Sequence, residues 1–68
     1  MIVTKIDRFI ALNKHRDDII GDVCKDLAAD KNFPLTQEEQ LDFLEDMGNV
    51  YPWMREPITK FLQAVVDM

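Results

Sequence analysis

The chain predicts an all-α protein, a compact bundle of four to five short helices, and three observations carry that expectation. Apolar residues recur at three- and four-residue spacing in four separate stretches. Each stretch is preceded by a helix-start signal, at Thr4, at Asp17 or Asp18, at Thr36 and at Pro57. With only two Gly and three Pro, no run shows the alternation of a half-buried strand between turn signals. Sixty-eight residues make a single domain, with helices expected over about 4–14, 18–31, 37–47 and 57–67. The 47% hydrophobic and 31% charged composition is that of a globular chain.

The first helix opens at Thr4, whose hydroxyl can accept from the first turn, with Asp7 at the third position as a capping-box partner. Ile6, Phe9 and Ile10, joined by Ile2 or Val3, form its buried stripe, and residues 13–16 form the break that follows. His15 falls in that break beside Lys14 and Arg16, with no nucleophile pattern near it, and reads as a solvated loop residue.

The second helix starts at Asp17 or Asp18 and presents Ile19, Ile20, Val23, Cys24, Leu27 and Ala28 as a broad apolar face. Gly21 costs about 1 kcal/mol inside a helix relative to Ala, so a neighbour must approach closely there, and the first helix is the expected one. Cys24 reads as a buried small hydrophobe. Asp22, Asp26 and Asp30 recur every four residues along one side. Calcium sites use loops with carbonyl ligands instead of such a row, so it reads as a solvated face or a surface for a basic partner. Pro34 turns the chain out of the helix, and Phe33 is expected to fold back over Leu27 as the central plug.

The run Asp18-x-Ile20-Gly21-Asp22-Val23-Cys24-x-Asp26-Leu27-x-x-Asp30-x-x-Phe33-Pro34 resembles the YozE-like domain of small bacterial and phage proteins, with the pattern D-x-I-G-D-L-A-x-D-Φ-x-x-D-x-x-F-P. Val23 and Cys24 stand where that family prefers Leu and Ala, and of its aromatic pair ahead of the motif only Phe9 is present. The correspondence covers about half of the chain and fades beyond Leu44. The resemblance implies a bundle similar to the sterile alpha motif, a kind that generally binds proteins, often further copies, and in a few cases nucleic acid, and it brings no catalytic residues.

The third helix opens with the box Thr36-Gln37-Glu38-Glu39, turns Leu41, Leu44, Met47 and in part Phe43 inward, and is expected to end at Gly48 as C-cap. Glu38, Asp42, Glu45 and Asp46 leave it a purely acidic outer surface, without a lysine four residues on to offset it. The connector that follows gathers Tyr51, Trp53, Met54 and Arg55 around Pro52. Two readings are open: Trp53 buries its ring in the core, or Tyr51, Trp53 and Met54 partly face solvent as an interface hot spot. The last helix begins at Glu56 with Pro57 in its first position, and Ile58, Phe61, Leu62, Val65 and Val66 form its stripe. Val66 and Met68 are free to be exposed or to meet another subunit.

Composition narrows the function. One cysteine and one histidine provide neither an internal disulfide nor a structural zinc site, and no cofactor motif appears. Without a Gly-rich phosphate loop, a nucleophile motif or room for a deep pocket, an enzyme is not expected. The start of the chain lacks a signal-peptide apolar segment and no run approaches a membrane span, so the expectation is a cytoplasmic protein that does not engage membranes. The net charge of −5 argues against nucleic acid as a partner. The charge is uneven. Residues 1–16 hold Lys5, Arg8, Lys14 and Arg16 against Asp7, whereas 37–54 hold five acidic residues and no basic one.

The leading expectation is therefore a non-enzymatic interaction module. It would dock a protein through Tyr51, Trp53, Met54 and Arg55 with the acidic residues Glu38, Asp42, Glu45 and Asp46, or self-associate through opposite-charge faces. Two alternatives stand beside it: a nucleic-acid-associated regulator using the basic first helix, and an acidic inhibitor that imitates nucleic acid.

Overall fold

A computed structural model describes residues 3–68 of the chain; the sequence expectation for Ile2 lies outside them. Four α-helices follow in order: α1 (Lys5–Asn13), α2 (Ile19–Ala29), α3 (Gln37–Val50) and α4 (Arg55–Asp67), with a short 3-10 turn, Pro52–Met54, between the last two. No strand occurs among the described residues. The radius of gyration is 11.0 Å, matching the value of about 11 Å expected for a fully collapsed chain of this length.

The core is one cluster contributed by every helix. Ile6, Phe9 and Ile10 of α1 meet Val23, Cys24 and Leu27 of α2, Leu44 of α3, and Ile58, Phe61 and Val65 of α4. Phe61 is fully buried and takes an edge-to-face contact with Phe9 at 5.3 Å, an arrangement that adds to the area term. The centre expected for Phe33 is thus held by Phe61. Pro34 and the extended backbone at Asp30 carry Phe33 to the margin, where it is half-buried with its ring edge-on to Phe43 at 5.4 Å.

The buried stripes are narrower than their sequence patterns. In α2, residues 20, 23, 24 and 27 keep the inward spacing, while Ile19 and Ala28 lie at its edges in solvent. Val3 and Val66 are likewise exposed, and Leu41, expected inside, is 42% exposed. The inner face of α3 is instead Gln40, Leu44 and Gly48, four residues apart, with Met47 half-buried beside them.

Helix starts follow local chemistry. Thr4 forms a full capping box with Asp7 at α1, and the Asp18 carboxylate accepts from the Gly21 N–H at α2, 2.9 Å. At α3 the Thr36 hydroxyl accepts from the Glu39 N–H, but it donates its own proton to the Glu39 carboxylate, so the reciprocal backbone bond of a full box is not made. Helix α4 begins at Arg55, ahead of Pro57. Pro57 still sits within the first turn, where no intrahelical N–H bond is lost.

Both glycines have neighbours other than those expected. A Cβ at Gly21 would collide with the Arg16 carbonyl oxygen, so the close approach is made by the loop after α1 and not by that helix. Gly48 does not end α3. Its φ is not positive and the helix continues to Val50, because the Arg55 side chain lies over it and the Arg55 Nε–H donates to its carbonyl oxygen at 3.0 Å. That bond satisfies one of the last-turn carbonyls which a C-cap would otherwise serve.

Candidate interaction surface

The residues that the sequence offers for binding divide among three surfaces. Helix α3 turns about 100° per residue, which sets Glu38, Asp42 and Glu45 in one outer stripe and rotates Asp46 toward α2. All four are exposed. Arg55 belongs to neither group. It braces the end of α3 through Gly48 and borders a separate depression with Glu45, Asn49 and Thr59. Its Nε–H is engaged within the chain, while the residue as a whole stays exposed.

The connector itself turns its aromatics outward. Tyr51 ends α3 with its N–H on the Met47 carbonyl at 2.9 Å, and its own carbonyl accepts from the Met54 N–H at 2.8 Å. Those two bonds close the turn tightly. Met54 is directed onto the core margin while Trp53 is left 71% exposed. The reading in which Trp53 fills the core fails: the indole is exposed, and Phe61, Leu44 and Phe9 are among the side chains that make up the buried centre. Tyr51, 47% exposed, lies against the indole with ring centres 5.2 Å apart. The aromatic pair is solvent-facing and held by short backbone hydrogen bonds.

Beside the pair runs a groove that the sequence did not assemble. One depression of about 260 Å³ is lined by Asp26, Asp30, Met47, Tyr51, Trp53 and Met54. An adjoining one of about 390 Å³ shares Asp30, Met47 and Tyr51 and adds Phe43, Asp46 and Val50. The lining is therefore largely thioether and aromatic, with three carboxylates, Asp26 on α2, Asp30 at its C-cap and Asp46 on α3. The aspartate row of α2 is split: Asp22 stays in solvent, whereas Asp26 and Asp30 face the aromatic connector. Among the described residues, ion pairs form only between Arg16 and Asp18 and between Lys60 and Glu56, so none of the three rim carboxylates is paired. Asp30 also accepts from the Asn32 N–H at 2.8 Å, which fixes its rotamer.

No family model, curated protein or solved structure matches the chain.

The positions of the run 18–34 have local structural duties. Asp18 caps α2, Gly21 admits the Arg16 carbonyl, and Val23, Cys24 and Leu27 fill the core. Asp30 orders the exit turn, and the Pro34 carbonyl accepts from the Gln40 side chain at 2.9 Å. Gln40 was not singled out by the sequence, yet it is 0% exposed. It accepts from the Thr4 hydroxyl at 2.7 Å and donates to Asp7 at 2.8 Å, tying the start of α1 to α3. The signal was present in its phase, four residues before Leu44, and its polarity concealed it.

Titration behaviour separates structure from reactivity. Burial pushes the Cys24 thiol up to about 11, so it stays protonated and inert at neutral pH. The Asp18 carboxyl is held below the usual range, first by the Gly21 N–H and then by the Arg16 side chain. Arg16 is thereby committed within the chain, at 2.6 Å from Asp18 and also donating to Asn13, whereas Lys5, Arg8 and Lys14 make no ion pair among the described residues. His15 is exposed. Among the described residues no three ligand-type side chains converge on a metal position, and no helix is long and apolar enough to cross a membrane.

Proposed function

We propose that the chain is a small, non-enzymatic helical module that binds another protein through the groove beside Tyr51 and Trp53. The single observation that carries this reading is a tryptophan left 71% exposed on a hydrogen-bonded turn, lining a shallow groove with Met47, Tyr51 and Met54. An exposed aromatic pair held by short hydrogen bonds loses little conformational entropy on docking. Covering the exposed part of an indole of roughly 250 Å² at about 25 cal/mol per Å² yields about 4 kcal/mol as an upper value, the size of an interface hot spot. We further infer a bundle of the sterile-alpha-motif-like, YozE-like kind acting in the cytoplasm. The resemblance of residues 18–34 supports the fold assignment, and the folds so implied generally bind proteins, with a few that bind nucleic acid.

The test is affinity capture from a bacterial lysate with wild-type chain and W53A, with and without nuclease. A protein retained by wild-type in both conditions and lost by W53A is the expected result. Retention that disappears with nuclease, or that is indifferent to W53A, overturns the reading. The second reading, an acidic inhibitor imitating nucleic acid, rests on the outer stripe of Glu38, Asp42 and Glu45, exposed and free of ion pairs among the described residues. It predicts that neutralising those three and Asp46 abolishes inhibition while leaving the fold intact.

A further inference from the structure

Resting on that reading, we infer that the groove's occupant is a basic amphipathic segment of a different protein. Its apolar side chains would lie on Met47, Met54 and Tyr51, and its lysines or arginines would reach Asp26, Asp30 and Asp46. The floor and rim set this chemistry jointly. Thioether and aromatic surfaces accept aliphatic side chains and the methylene stems of long cations. The exposed faces of Tyr51 and Trp53 attract a cation electrostatically. Three carboxylates with no ion-pair partner among the described residues complete the complement.

Competing occupants fit less well. A phosphate backbone meets a rim of one repelling sign. A second copy brings a further net charge of −5 to an acidic rim. Its own basic helix offers only one large exposed apolar side chain, Leu12, within its length, too little to fill the groove.

The experiment measures binding to a labelled helical peptide of alternating lysine and leucine faces, and to its counterpart with every lysine replaced by glutamate. Wild-type, W53A, D26N/D30N/D46N and E38Q/D42N/E45Q chains are compared by fluorescence anisotropy, with thermal melts confirming each fold. The last variant loses three carboxylates as the groove variant does, but from the outer stripe. The lysine peptide should bind wild-type at least about ten-fold more tightly than the glutamate peptide. D26N/D30N/D46N should weaken it about ten-fold, and E38Q/D42N/E45Q less than about two-fold. Equal losses in the two triple variants would show bulk attraction and overturn the assignment.

The two proposals fail differently. If W53A abolishes binding and D26N/D30N/D46N leaves it unchanged, the groove binds protein but not through basic residues. If W53A changes nothing, the docking surface itself is wrong. Sedimentation of the chain alone, showing a dimer that D26N/D30N/D46N dissolves, would make a second copy the occupant and equally overturn the assignment.

Discussion

Replacing Gln40 with leucine tests the least expected feature of the fold. The amide is buried and makes three hydrogen bonds, to the Thr4 hydroxyl, the Asp7 carboxylate and the Pro34 carbonyl, at 2.7 to 2.9 Å. Leucine matches its bulk and removes all three. Asp7 is partly exposed and can turn to water, but the buried Thr4 hydroxyl is left without an acceptor and the half-buried Pro34 carbonyl without a donor. Each stranded group costs about 1–3 kcal/mol, and the added apolar burial returns about 1, so the net loss is about 3 kcal/mol. A domain of this size has roughly 3–10 kcal/mol in total. At about 4–8 °C per kcal/mol, thermal melts should show Tm falling by roughly 12–24 °C. The control is Q63L, whose wild-type amide bonds only Asp67 at the surface and which should stay within about 0.5 kcal/mol. A Q40L melt within about 3 °C of wild-type would show that the network contributes nothing net, and the reasoning would fail. The companion Q40E is sharper still. Its carboxylate would face two acceptors, Asp7 and Pro34, so it folds best protonated with its pKa raised. Relative to wild-type its stability should therefore fall as pH rises above about 4.

The glycines should respond with opposite sign. G21A drives a methyl into the Arg16 carbonyl and should destabilise by about 1–3 kcal/mol, while G48A meets nothing closer than the Arg55 side chain at 3.4 Å and should gain up to about 1 kcal/mol from helix propensity, both read by urea titration. Asp18, with its folded pKa lowered, contributes stability that is present above about pH 4 and lost as pH falls through the folded value. Asparagine keeps the cap but does not titrate, so Tm should decline more steeply below about pH 4 in wild-type than in D18N, and parallel curves would contradict this. Cys24 should resist a thiol reagent in the native state and react at the rate of unfolding, with rapid native labelling as the contrary result.

Much of the fold was legible because periodicity and caps are local. Ile6, Phe9, Ile10, Val23, Cys24 and Leu27 announce themselves by spacing alone, and Thr4, Asp18 and Thr36 by their chemistry. What escaped is tertiary in origin. Gly48 carries the composition of a helix stop, yet whether it stops depends on Arg55, seven residues on, capping its carbonyl. Gln40 takes the buried position expected of Leu41 because Thr4, 36 residues away, and Pro34, on the turn before the helix, satisfy its amide. The sequence leaves Trp53 open between core and surface, because hydrophobicity alone does not say that Phe61 and not the indole is the large aromatic fully buried at the centre.

The groove escaped for the same reason, and its origin explains why a small domain tolerates an exposed tryptophan. Tyr51, Pro52 and Met54 are fixed by the end of α3, whose last turn is closed by the Met47 carbonyl and the Arg55 side chain. A turn this short has one side chain it can bury against the margin, and that one is Met54. Trp53 then has to project, and Asp26 and Asp30 flank it only because α2 and α3 leave their exposed edges on the same side of the bundle. Stability therefore rests on the Gln40 network and the Phe61 core, both remote from the aromatic pair in the contacts they make. This separation is what allows a sharp experimental division: W53A should leave Tm within about 2–4 °C of wild-type, as a surface change of about 0.5 kcal/mol does, while removing the hot spot for docking. Were W53A to unfold the domain instead, the indole would be structural and the exposed pair could not be the anchor of an interface.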